Sequence, residues 1–123
     1  MTLNSFTQGG GTLNSGGNIA LNTFAQTGGN TTTTNGANFS TTTDFSQGTS
    51  GSLTVNGNTS ITDTSGGLVI GNLTINGSLN ATSTGGAITD AAGSTINANG
   101  NSTFNATNGG TAANITLDNA TNN

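Results

Sequence analysis

The sequence predicts an all-β fold: a parallel β-helix solenoid of about 21 residues per coil, with three short parallel sheets and five to six coils. Three observations carry this. A tripeptide recurs at Thr12-Leu13-Asn14, Thr33-Thr34-Asn35, Thr54-Val55-Asn56, Thr74-Ile75-Asn76, Thr95-Ile96-Asn97 and Thr116-Leu117-Asp118, at intervals of 21, 21, 20, 21 and 21 residues. Self-similarity at a fixed period near 20 marks stacked coils. Second, Leu53-Thr54-Val55, Leu73-Thr74-Ile75 and Ile115-Thr116-Leu117 place two apolar residues on one face and Thr on the other, the period of a strand. Third, the chain has 21 Gly and no Pro, so glycine can supply the turns while every rung keeps its N–H for the ladder.

The coils are expected at 12–32, 33–53, 54–73, 74–94 and 95–115, with a sixth starting at 116 and residues 1–11 forming a partial coil, all in one continuous solenoid domain, 1–123. The opening residues resemble the back half of a coil. Ser5-Phe6-Thr7-Gln8-Gly9-Gly10 matches Thr23-Phe24-Ala25-Gln26-Thr27-Gly28-Gly29, and both match Asp44-Phe45-Ser46-Gln47-Gly48 in part. Thr2-Leu3-Asn4 copies the tripeptide out of register. The coil 74–94 illustrates the pattern, with runs Thr74-Ile75-Asn76, Ser78-Leu79-Asn80-Ala81-Thr82 and Ala87-Ile88-Thr89-Asp90 separated by Gly77, Gly85 and Gly86. Glycines there permit the positive φ that turns need.

Stacking is obligatory, because one coil holds too few apolar side chains to offset the ordering of its backbone. The expected inward column is Leu13, Val55, Ile75, Ile96 and Leu117. An outward ladder of Thr12, Thr33, Thr54, Thr74, Thr95 and Thr116 is expected, with an amide ladder of Asn14, Asn35, Asn56, Asn76 and Asn97 beside it. Neither terminus reads as a polar cap, so the chain is expected either to come from a longer array or to join end to end. Residues 1–10 carry neither the basic nor the apolar region of a signal peptide.

Gly, Asn, Thr and Ser supply 81 of the 123 residues, and Leu, Ile, Val and Phe 22. That composition approaches the disordered class, yet a flexible linker has no reason to keep a 21-residue register. With no Lys or Arg and a net charge of −4, binding to nucleic acid or to anionic membrane surfaces is not expected. No apolar run suits membrane insertion. His, Cys, Glu and Tyr are absent as well, which leaves Ser, Thr and four Asp for chemistry. Asp44, Asp63, Asp90 and Asp118 lie 19, 27 and 28 residues apart and are read as solvent-facing turn residues that do not share a coil position. No catalytic site, cofactor or metal site is expected, and the Ca²⁺-binding Gly-Gly-x-Gly-x-Asp repeat is missing. Ten Asn-x-Ser/Thr sequons occur, at Asn30, Asn38, Asn58, Asn72, Asn76, Asn80, Asn101, Asn105, Asn114 and Asn119, about the number such a composition generates by chance.

Runs such as Gly71-Asn72-Leu73-Thr74-Ile75-Asn76-Gly77 and Gly86-Ala87-Ile88-Thr89-Asp90-Ala91-Ala92-Gly93 resemble the repeats of filamentous-haemagglutinin-like exoproteins, exported by two-partner secretion or as autotransporter passengers. The resemblance covers residues 50–120 well and the first third less well. It implies a right-handed β-helix, extracellular or on the cell surface, serving as a rod or stalk in adhesion, aggregation or biofilm. The expected partners are further copies or repeats of itself and a host or neighbouring cell surface. Two alternatives stand beside it: a filament subunit stacking end to end, and ice or surface binding by the Thr/Asn ladder.

Overall fold

In the computed structural model, which describes residues 1–118, strands succeed one another around a triangular coil. The first coils run β1 (Thr2–Gln8), β2 (Thr12–Ser15), β3 (Ile19–Gln26), β4 (Gly29–Thr33) and β5 (Phe39–Gln47). From there each coil has three strands: β6 (Gly51–Val55), β7 (Thr59–Asp63) and β8 (Leu68–Ile70), then β9 (Asn72–Ile75), β10 (Leu79–Ser83) and β11 (Ile88–Asp90). The last comprises β12 (Ile96–Ala98), β13 (Ser102–Asn108), β14 (Thr111–Ala112) and β15 (Ile115–Thr116). The remainder of the expected sixth coil, with the sequon at Asn119, lies outside the described residues.

The first face is a five-stranded parallel sheet in the order β12-β9-β6-β4-β2. The second and third faces belong to one ten-stranded sheet. Their fusion has a local cause. β3 and β5 run round the corner between these faces without a break, with a register shift between Leu21 and Thr23. β5 therefore pairs with β7 through Phe39 and Ser40 and with β8 through Ser46. In later coils Gly66 and Gly67, at φ of 85° and 90°, break that strand into two, and the corner sharpens. One pairing departs from the parallel pattern. β14 folds back antiparallel on β13 and covers part of its outer edge.

Register on the first face corrects the even repeat. Leu13 faces Thr31, Thr31 faces Leu53, Leu53 faces Leu73, and Leu73 faces Ile96. The steps are thus 18, 22, 20 and 23 residues, and their mean near 21 hides coils up to three residues shorter or two longer. Side chains alternate in and out, so an odd slip moves a residue from surface to core.

The interior is one apolar cluster running along the rod, including Ile19, Leu21, Leu53, Val55, Ile61, Leu68, Ile70, Leu73, Ile75, Leu79 and Ile88. Aromatics fill its first half. Phe6, Phe24 and Phe45 form a stacked column with centroids 6.0 and 5.3 Å apart. Phe39 meets Phe24 edge-on at 5.2 Å, an arrangement that adds to area burial. Stacking is what makes the few apolar residues sufficient, since each buries against the rungs on both sides.

Candidate functional site

The expected Thr ladder divides among several places. Thr54 and Thr74 do face each other, and their outward column continues through Thr32 to Asn14 on one side and Asn97 on the other. Thr33 points inward and is fully buried, its hydroxyl donating to the Ala37 carbonyl at 2.7 Å. Thr12 pairs with Asn30 in the neighbouring outward column, and Thr116 lies on the third face opposite Thr89. Thr95 donates its N–H to the side chain of Asn72 at 3.0 Å. The cause is the uneven coil length. The spacing of 21 slips the first rungs by one residue and turns Thr33 over.

The core column splits in the same way. Leu13 and Ile96 share an inward column with Thr31, Leu53 and Leu73, whereas Val55 and Ile75 share the next one with Thr33 and Ala98. Leu117 packs against the core beyond β15. Of the expected Asn ladder, Asn14 and Asn97 belong to the outward Thr32–Thr74 column. Asn76 meets Asn99, whose side-chain amide donates to its Oδ1 at 3.2 Å. Asn56 accepts no such bond and instead donates its backbone N–H to the Thr33 hydroxyl. Asn35 sits at a turn with φ of 58°.

Two polar spines that spacing alone does not predict run along the corners. The first uses all three glutamines of the chain. Gln26 donates from Nε2 to Gln8 Oε1 at 2.9 Å, and Gln47 donates to Gln26 Oε1 at 3.0 Å. Each also caps backbone carbonyls of the adjacent corner: Gln8 those of Gly11 and Asn30, Gln26 those of Gly29 and Ser52, Gln47 that of Asn72. All three are buried, and their polar atoms are paired, as buried amides must be. The visible signal was the Phe-x-Gln match among the first coils. It identified the repeat and left its role unread.

The second spine is asparagine. Oδ1 of Asn18 accepts the N–H of Asn38 at 2.9 Å, Asn38 that of Asn58 at 2.7 Å, and Asn58 that of Ser78 at 2.9 Å. This ladder lies at the corner between the first and second faces, on other residues than the expected Asn14, Asn35, Asn56, Asn76 and Asn97, and its side chains accept backbone N–H groups rather than pairing amide to amide. Glycine precedes Asn58 and Ser78 because no side chain fits. A Cβ on Gly77 would sit 2.6 Å from the Gly57 carbonyl oxygen. Along this corner runs an open groove of about 500 Å³ lined by the Asn spine, Ser40, Ser60 and Asn80. None of its lining residues carries a charge, and Ile19, Ala20 and Phe39 line it too, so it offers apolar contact as well as hydrogen bonds.

The carboxylates also depart from expectation. Asp44 and Asp63 meet at the corner between the second and third faces and share a hydrogen bond. Asp63 is 1% exposed, and it accepts the N–H of Ser65 at 3.0 Å and of Phe45 at 3.3 Å. Burial pushes its carboxyl above the ordinary value, and the Asp44 carboxylate adds to that. The two N–H bonds pull the other way without overcoming it. At the far end Asp90 accepts the N–H of Asp118 at 3.4 Å. The coils bring these residues together because the intervening corners absorb the uneven spacing. No cluster of three metal-ligating side chains occurs among the described residues. Among the described residues no helix is long and apolar enough to cross a membrane.

No curated protein and no solved structure matches the chain. A family model described as repeats of unknown function, DUF5649, matches residues 60–123, more than half of the sequence. That match agrees with stacked coils and does not connect the chain to the haemagglutinin-like or autotransporter families. The chain belongs to the DUF5649 family of repeat proteins.

Proposed function

We propose that this chain is a structural, non-enzymatic segment of an extracellular bacterial adhesin or surface fibre, a stiff rod that holds other parts of a surface apparatus at a distance. The observation that supports it most is the pair of side-chain spines running rung to rung. Gln8–Gln26–Gln47 and Asn18–Asn38–Asn58 tie the first coils to one another through side chains as well as backbone. Such cross-ties resist bending and local opening. They serve stiffness rather than recognition. The proposed partners are further repeats and a host or neighbouring cell surface, with no role for nucleic acid or membrane insertion. Antibody labelling of intact source cells tests the location. Surface labelling without permeabilisation is expected, and labelling only after permeabilisation would reject the reading.

End-to-end association is a second reading, favoured by the open strand edges. Leu3 on β1 and Met1 just before it are 41% and 42% exposed, and Ile115 on β15 is 45% exposed, as unpaired rungs leave them. Negative-stain electron microscopy of the purified chain at micromolar concentration separates the two. Short monodisperse rods fit a segment of a larger array, and long filaments of constant width fit a self-stacking subunit. Ice or surface binding by the outer hydroxyls has less support, because the Thr32, Thr54 and Thr74 column gives way to Asn14 and Asn97 at its ends and the other in-register Thr, such as Thr62–Thr82 and Thr89–Thr116, lie on other faces.

A further inference from the structure

Five Asn-Gly dipeptides occur, at Asn35, Asn56, Asn76, Asn99 and Asn108. The pair is chemically labile because glycine, lacking a Cβ, leaves its amide nitrogen open to attack the preceding side-chain carbonyl. The fold treats the five differently. At three of them the glycine N–H is tied into the ladder. Gly57 donates to the Ala37 carbonyl at 3.0 Å, Gly77 to Gly57 at 3.1 Å, and Gly100 to Gly77 at 2.9 Å. The preceding asparagines are pinned as well, Asn76 to Val55 and Asn99 to Ile75 through backbone bonds, and Asn56 to the Thr33 hydroxyl. Neighbouring backbone crowds Gly57, Gly77 and Gly100, so these segments cannot swing into the geometry of attack. Asn108 is held in the β13–β14 hairpin, paired with Thr111 and bridged to Gly85, although Gly109 itself is exposed at φ of 57° with nothing within 4 Å of its Cβ position.

Asn35-Gly36 shares that open glycine and differs in that no rung or strand pairing holds the asparagine either. Thr34 to Ala37 is a two-residue excursion relative to the next coil, whose Asn56-Gly57 spans the same corner directly. It closes with the Ala37 N–H on the Thr34 carbonyl at 3.1 Å, with φ of 58° at Asn35 and 73° at Gly36, a primed turn. Asn35 and Gly36 are exposed, nothing approaches the Cβ position of Gly36 within 4 Å, and no rung carbonyl receives its N–H.

We propose that Asn35 is a site of spontaneous covalent modification, the one Asn-Gly of the five in which neither the asparagine nor the glycine is held by a rung or a strand pairing. In base the Gly36 amide nitrogen loses its proton and attacks Asn35 Cγ. The new N–Cγ bond forms as the Cγ–Nδ2 bond breaks, and Nδ2 takes up a proton and leaves as ammonia. Water then opens the cyclic imide at either carbonyl, giving Asp or isoaspartate at 35. The product adds one negative charge on an exposed tip outside the ladder, so the rod keeps its fold while its surface changes. The Asn35 turn can rearrange locally, whereas Asn56, Asn76 and Asn99 must first open a rung and Asn108 must first leave its hairpin pairing.

The test compares the native chain with the same chain in concentrated urea at mildly alkaline pH, read by peptide mass mapping of Asn-to-Asp conversion. Hydroxylamine, which cleaves the cyclic imide, provides a second readout as chain scission. In the folded chain, conversion and scission at Asn35 should exceed those at Asn56, Asn76, Asn99 and Asn108 by at least about tenfold, the discrimination a modest rung-opening cost provides. In urea all five should react at similar rates. Conversion of any other Asn-Gly as fast as Asn35 in the folded chain overturns the proposal. So does a folded chain in which Asn35 stays intact over the time in which the unfolded chain is consumed.

Discussion

Gln26 offers the sharpest test of what holds the coils together. Replacing it by Leu keeps an inward side chain of similar reach and removes four bonds: those it donates to Gln8 Oε1, the Gly29 carbonyl and the Ser52 carbonyl, and the one it accepts from Gln47. The losses are unequal. Gln8 Oε1 still accepts from the Thr31 hydroxyl at 2.7 Å, and Gln47 still donates to the Asn72 carbonyl. The Gly29 and Ser52 carbonyls lose their side-chain donor, at a site where Gln26 itself is 1% exposed. A buried polar group left unpaired costs about 1–3 kcal/mol, and the apolar gain of leucine returns part of it. The expected net loss is about 2–4 kcal/mol, a large share of the roughly 5–15 kcal/mol that holds a domain of this size. Urea unfolding followed by far-ultraviolet circular dichroism measures it, with exposed Ser60→Ala as the control expected to change little. A Gln26→Leu chain within about 0.5 kcal/mol of the parent would refute the view that the glutamine spine stabilises the stack. A double-mutant cycle with Gln47→Leu should show non-additivity, since the second change removes a donor whose partner has already gone.

Three other outcomes follow from the same structure. Thr59 is 2% exposed and its hydroxyl has no partner, so Thr59→Val should raise stability by about 1–2 kcal/mol in urea titrations. Gly77→Ala should destabilise by about 1–3 kcal/mol, because its Cβ meets the Gly57 carbonyl at 2.6 Å, while Gly17→Ala, with nothing within 4 Å, should be near neutral. Asp63 has a folded pKa raised above its unfolded value, first by burial and then by Asp44. The folded state therefore holds that proton more tightly, and the stability it brings is complete below the ordinary carboxylate range and lost as pH rises through the raised value. Thermal melts should show the chain more stable in mild acid than at neutral pH. Asp44→Asn should shrink that difference without abolishing it, since burial is the larger cause.

The repeat and its strands were legible because alternation of Leu, Ile or Val with Thr marks a strand wherever it falls in a coil. Register was not. Corners gain or lose one or two residues with no sequence mark as plain as proline, and a slip of one residue puts Thr33 in the core rather than on the surface. The glutamine spine was half legible. Its Phe-x-Gln motif recurs at Phe6-Thr7-Gln8, Phe24-Ala25-Gln26 and Phe45-Ser46-Gln47, and an amide recurring inside an apolar motif points to a buried ladder. The asparagine spine had a comparable signal in Gly17-Asn18, Gly57-Asn58 and Gly100-Asn101, obscured by Asn elsewhere. The Asp44–Asp63 pairing left no trace in spacing, because it depends on how β5 turns its corner while β7 stops short of it.

The central claim is a stack whose coils differ in length, and cross-rung nuclear Overhauser contacts from Thr54 test it most directly. The register places Thr32 and Thr74 on either side of Thr54. Backbone contacts from Thr54 to both are predicted, with the Thr33 side chain contacting the buried interior. Contacts from Thr54 to Thr33 in place of Thr32 would restore the even 21-residue repeat and contradict the account.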